Sequence, residues 1–129
     1  MKLAAAPAFL QLASAAPKIP NAVLDPALAS IQHLDFGDQR VYFDGATDQL
    51  RSLTIGSLAL NPGREPHPPH QHPEEEIMNV AEGTGEILAG GKWSPVGPGS
   101  IMYCAGNSVH GVRNTGKVPL LFYYSKWKA

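Results

Sequence analysis

Four of the five histidines lie in two places: His67, His70 and His72 within a proline-rich stretch, and His110 forty residues after His70. In an extended segment, side chains two residues apart point to one face. His70 and His72 therefore converge, and Glu76 has the same parity if a strand resumes in phase. Two imidazoles and a carboxylate make a facial set of N and O donors suited to a first-row transition metal. His110 sits in a candidate strand of its own and joins the set only if that strand lies beside the first. His67 is one residue out of phase and faces elsewhere unless the Pro68-Pro69 bend reorients it; it reads as an exposed loop histidine or one packed behind the ligands. Loop histidines commonly bind nothing, but three within six residues form a dense cluster.

The rest of the chain must supply strands to hold them. Thirteen Gly and twelve Pro make up about 19 % of the 129 residues, against about 12 % in average usage. That excess argues for short strands joined by turns and against a helix bundle. Candidate strands are Ile31–Phe36, Arg40–Phe43, Leu50–Leu60, Ile77–Ala81, Glu86–Ala89, Lys92–Ser94, Ser100–Cys104, Val109–Arg113 and Leu120–Trp127. Asp25-Pro26 suggests a helix start over Ala27 to Ile31. Phe36-Gly37-Asp38 and Asp44-Gly45 carry turn residues, and Gly90-Gly91 suits a two-residue hairpin. Five prolines between Pro62 and Pro73 exclude a central strand there. Strands this short and this closely spaced indicate an all-β barrel or jelly roll in one domain, residues 21–129.

Composition also limits partners. Ten Lys/Arg against eleven Asp/Glu give a net charge of −1, without the basic excess of a nucleic-acid binder. Cys104 is the single cysteine, so no internal disulfide holds the fold. No apolar run reaches the roughly 18 residues of a membrane span. Residues 1–20 combine Lys2, an Ala/Leu-rich stretch and Ala13-Ser14-Ala15, an outline of an export signal to the periplasm; Pro7 and Gln11 interrupt it. The competing expectation is an N-terminal arm of a cytoplasmic protein.

These residues resemble the two motifs of the cupin superfamily. His70-Gln71-His72, three residues, Glu76, six residues and Gly83 reproduce the first motif, with Gly63 leading it one residue early. From Gly99, the spacing through Ala105, Asn107, His110 and Asn114 matches the second, with Ala105 in place of the motif's proline and Asn107 in place of its second glycine. Asn tolerates positive φ better than other side chains, so the turn is expected to survive. The resemblance implies a single-domain cupin jelly-roll β-barrel with one metal held by His70, His72, Glu76 and His110. Such a donor set suits several divalent transition ions, and redox-active Fe or Mn ranks first, with Ni, Cu, Co or Zn behind.

Dioxygenase-type chemistry on a small oxygen-rich or phenolic molecule is the leading expectation at such a centre. Isomerase or lyase chemistry, or non-catalytic binding of metal and small ligand, are the alternatives. No catalytic residue beyond the ligands is singled out. Glu74 and Glu75 read as exposed acids and Arg113 as a surface charge. Cys104 reads as a small buried hydrophobe. Parity puts Met78, Val80, Val112 and Asn114 toward the site, while Tyr103, Phe122, Tyr124 and Trp127 are candidates to roof it, to fill the core or to form a dimer interface. Exposed early strands and an apolar last strand suggest a homodimer.

Overall fold

Why nine short strands should close on one another follows from their alternation. In β4 (Glu75–Glu82), Glu76, Met78 and Val80 are buried while Ile77 and Asn79 are exposed, the period-2 pattern of a strand with one face on a core. The computed structural model describes residues 17–129, and within them the chain is all-β. Its other strands are β1 (Ser30–Leu34), β2 (Gly37–Gly45), β3 (Ser52–Leu60), β5 (Gly85–Ala89), β6 (Lys92–Val96), β7 (Ile101–Cys104), β8 (Gly111–Arg113) and β9 (Leu120–Lys128). They form a six-stranded sheet, β1-β2-β3-β9-β4-β7, and a three-stranded sheet, β6-β5-β8.

The inner faces of the two sheets meet in one core. Leu58, Leu60, Met78, Val80, Leu120 and Phe122 come from the larger sheet, Ile87 and Val112 from the smaller. Register aligns the inner residues in rows. Gly56, Tyr124, Met78 and Met102 are successive partners across β3, β9, β4 and β7, and Thr54, Lys126, Glu76 and Cys104 form the next row. Gly56 is needed in its row: a Cβ there would stand 2.4 Å from the Tyr124 hydroxyl.

Turn chemistry accounts for most boundaries. Gly90 (φ 59°) and Gly91 (φ 76°) join β5 to β6 in a two-residue turn, as their types require. Several strand ends differ from expectation, and Asp44-Gly45, assigned to a turn, lies inside β2; three of the differences have a local cause. The helix proposed over Ala27 to Ile31 is only a 3₁₀ turn at Pro26–Leu28, capped by Asp25, and Ile31 belongs to β1. Gly37, assigned to a turn, opens β2, where the Ala59 carbonyl would lie 2.0 Å from any Cβ. Leu50 stays outside β3 because the Thr47 hydroxyl accepts from its N–H at 2.9 Å, closing a local turn.

The export signal or arm expected over residues 1–20 falls mostly outside the described residues. Of that segment, Lys18 bridges Ala46 in parallel, with the Ile19 N–H donating to the Ala46 carbonyl at 2.9 Å.

Asn114 closes the β8 end of the barrel. Its buried Nδ2 donates to the carbonyls of Leu60 and Val118, both at 2.8 Å, and its Oδ1 accepts from Gly116 N–H at 2.9 Å. The parity argument that aimed it at the metal is corrected: the side chain is consumed by backbone groups. Asn114→Ala strands buried carbonyls and is expected to cost about 2 kcal/mol or more, read by chemical denaturation. A change within experimental error would contradict this role.

Candidate metal centre

The proline-rich segment is a loop, as its composition demands, yet it is tied down where the chemistry lies. His70 and His110 exchange both backbone hydrogen bonds, at 3.0 and 2.9 Å, so the loop pairs with the residue preceding β8. That pairing meets the condition set for His110. Asn107 takes the left-handed conformation (φ 59°), as expected for the residue in the motif glycine's place, and its N–H donates to the His72 carbonyl at 2.7 Å. Gly106 permits this approach, since a Cβ there would lie 2.4 Å from the Pro73 carbonyl.

The three rings converge. Ligand nitrogens of His70, His72 and His110 all lie within 4.8 Å of one another, a group able to hold a metal ion. Ring centroids are 4.7–5.3 Å apart with near-perpendicular planes. Glu76 on β4 reaches the same point: its Oε2 is 3.0 Å from His72 Nε2 and 2.9 Å from His110 Nε2.

The outward nitrogens of two of the rings are held by backbone carbonyls. His72 Nδ1 donates to the Glu74 carbonyl at 3.1 Å, and His110 Nδ1 to the Ser108 carbonyl at 3.0 Å. For His110, whose Nε2 makes no hydrogen bond, the Ser108 carbonyl fits the tautomer with its proton on Nδ1 and its lone pair on Nε2; His72 meets an acceptor at both nitrogens, the Glu74 carbonyl at Nδ1 and Glu76 Oε2 at Nε2. Two imidazole nitrogens and one carboxylate oxygen thus crowd one largely buried point, an arrangement that a cation stabilises. His110 Nε2 is buried and, although 2.9 Å from Glu76, is not aligned for a hydrogen bond with any group. Imidazoles fixed by backbone carbonyls in this way are the usual preparation for metal ligation. The donor set fits a divalent transition ion.

His70 is the outermost of the three. Loss of water around its ring, followed by the charges of His67, His110, His72 and Lys126, lowers its pKa to about 4. It is therefore neutral, the ligating form, near pH 7. His67 stacks on it, with centroids 3.7 Å apart and planes 25° apart, while its Nδ1 donates to the Pro68 carbonyl at 2.8 Å. It supports His70 from outside the converging group. Cys104 Sγ lies 3.4 Å from both the Ser108 carbonyl and His110 Nδ1, and burial, then the Glu76 charge, pushes the thiol up. It packs behind His110 as a neutral thiol.

A cavity of about 160 Å³ opens on the Glu76 side of the centre, lined by apolar Phe36, Leu58, Met78, Val112 and Phe122, and by polar Gln39, His67, Tyr124 and Lys126. Gln39 Nε2 donates to the Tyr124 hydroxyl at 2.9 Å. Burial raises the Tyr124 phenol, so it remains a neutral donor. Two of the candidate roofing aromatics are elsewhere. Tyr103 and Trp127 are on the outer face, where the Tyr103 hydroxyl donates to Glu75 and Trp127 Nε1 to the same carboxylate at 3.0 Å. Arg113 is also outside, paired with Glu86 at 3.2 Å and lying over the Trp93 ring. The sequence reading missed Gln39 and Lys126; extending the β9 alternation from Phe122 and Tyr124 by one step would have found Lys126.

Comparison with known proteins agrees with this architecture. The family model described as a cupin domain matches residues 56–125, more than half of the chain and all four candidate ligands. The chain belongs to the cupin family. No curated protein matches its sequence. Among solved structures, an RmlC-like cupin from Shewanella frigidimarina is similar at 15 % identity and TM-score 0.67, over 82 % of this chain and 89 % of that one. A predicted oxalate decarboxylase from Thermotoga maritima is similar at 19 % identity and TM-score 0.65, over 84 % and 100 %. A Cupin 2 conserved barrel domain protein from Salinispora arenicola is similar at 20 % identity and TM-score 0.63, over 86 % and 90 %. At these identities the likeness concerns the fold. No helix among the described residues of this cupin is long and apolar enough to cross a membrane.

His72→Ala and His110→Ala are each expected to lose most of the bound metal, and His67→Ala to keep it, measured by elemental analysis of the purified protein. Unchanged metal in both of the first two variants would contradict the site.

Proposed function

We propose that this cupin is a metal-dependent enzyme. In this reading His70, His72, Glu76 and His110 hold one Fe or Mn ion, and a small oxygen-rich or phenolic molecule undergoes dioxygenase-type chemistry beside it. The observation that carries the reading is the convergence of the His72 and His110 Nε2 atoms, at 3.0 and 2.9 Å, on one Glu76 oxygen, set at the wall of a compact, mostly apolar cavity. Four protein ligands leave two positions of an octahedron for exogenous oxygens. A bound Fe or Mn ion would supply Lewis acidity and one-electron exchange with O₂.

The chain's own groups account for the rest. Phe122, Met78, Val112 and Leu58 give the cavity an apolar wall. Tyr124, steadied by Gln39, presents a phenolic proton to a ligand oxygen without becoming charged. Glu76 keeps one carboxylate oxygen turned to the histidines and can take a ligand proton on the other.

Oxygen uptake by Fe- or Mn-loaded protein on diketones, catechols and flavonols tests the chemistry. Uptake with one class, abolished by metal removal, is expected. Turnover of a substrate without oxygen consumption would replace dioxygenase by isomerase or lyase chemistry. Binding without turnover would leave a non-catalytic binder.

We also propose a homodimer through the exposed edge of the larger sheet. All five residues of β1 are exposed, Ile31 and Leu34 among them, so its unpaired edge is free to extend a partner's sheet. The last strand is central and its Leu120, Phe122 and Tyr124 are buried, which leaves Leu121 and Tyr123 of its outer face as the apolar residues it can offer a partner. Light scattering should give a two-chain mass for the full chain; a monomer would refute the dimer. If residues 1–17 act as an arm, a chain starting at Lys18 should dimerise more weakly.

A further inference from the structure

Lys126 is the one group in the cavity wall whose chemistry the metal centre leaves unused. Alternation along β9 puts it on the inner face with Leu120, Phe122 and Tyr124. In register it stands between Thr54 on β3 and Glu76 on β4, so it borders the metal centre directly. Among the described residues it enters no ion pair. The two acids nearest in register have other partners. Glu76 Oε2 is turned to His72 and His110, and Asp44, one strand beyond, accepts from the Thr54 hydroxyl at 3.0 Å. An ammonium left over against an apolar cavity wall is a site for an anion, because partial desolvation strengthens a charge-assisted pair that completes it.

We infer that Lys126 is the anion anchor of the cavity and that the ligand is a small carboxylic acid bearing a second oxygen, such as an oxo or hydroxy acid. The carboxylate pairs with the Lys126 ammonium, and the adjacent oxygen faces Glu76 and the histidines. Tyr124 lies two residues back on the same strand face and donates to the same end of the ligand. A cavity of about 160 Å³ takes a compact acid and not a chain. This deepens the proposed function and rests on it for the second oxygen. The charge at Lys126 stands without it.

The test uses an isosteric pair of probes, anionic pyruvate and neutral pyruvamide. Their affinities are measured for the wild type, Lys126→Met and Lys126→Arg. The Mn-loaded protein is followed by water proton relaxation and the metal-free protein by ligand-observed NMR. Methionine keeps the apolar stem and removes the charge. Lys126→Met is expected to weaken pyruvate by about 10–100-fold, the worth of a hydrogen bond to a charged group. Pyruvamide should change little, Lys126→Arg should restore most of the loss, and metal content and melting temperature should stay at wild-type values. Equal losses for both probes, or none, would overturn the anchor, as would failure of the wild type to bind pyruvate at millimolar concentration in either form. If the wild type holds no metal yet Lys126→Met still loses pyruvate, the metal reading fails and the anchor survives.

Discussion

Glu76 Oε2 sits 3.0 and 2.9 Å from two imidazole nitrogens of rings whose outer nitrogens are held by backbone carbonyls. Three donor atoms this close suit a cation held among them, and His70 adds a third imidazole to the group. The rest of the barrel is arranged to keep that cluster in place. Glu76 comes from the larger sheet, His110 from the entrance to the smaller, and His70 and His72 from the loop between β3 and β4. Relative movement of the two sheets would separate the donors.

Backbone contacts resist that movement more than side chains do. The reciprocal His70–His110 hydrogen bonds fix the loop to β8, and the Asn107–His72 bond fixes the motif turn to the loop. Gly106 and Gly56 serve the same end through absence of a Cβ: the first lets Pro73 approach, the second leaves space for the Tyr124 hydroxyl. Asn114 then joins β3, β8 and the turn before β9 through one buried amide. Residues at motif positions therefore do two kinds of work, and only some of it is ligation.

Much of this was legible in the sequence because strand periodicity and motif spacing carry it. The parity of His70, His72 and Glu76, the Gly90-Gly91 hairpin and the positive φ of Asn107 each follow from local chemistry. What was not legible depended on strand order. Nothing local says that β9 lies between β3 and β4, so the pairing of both its edges escaped notice. The same ordering places Lys126 beside Glu76. Side chains of Tyr103 and Trp127 were misplaced for a simpler reason: aromatic content suggested a roof, while alternation along β7 and β9 puts both on the outer face with Glu75.

The central claim is a mononuclear centre of imidazole and carboxylate donors, with the Cys104 thiol packed behind His110 and outside the coordination sphere. X-ray absorption at the edge of the bound metal reads this directly. The expected spectrum has only nitrogen and oxygen neighbours at about 2.0–2.2 Å, with the outer-shell scattering of three imidazoles. A sulfur neighbour near about 2.3 Å, or scattering from fewer than three imidazoles, would contradict the account.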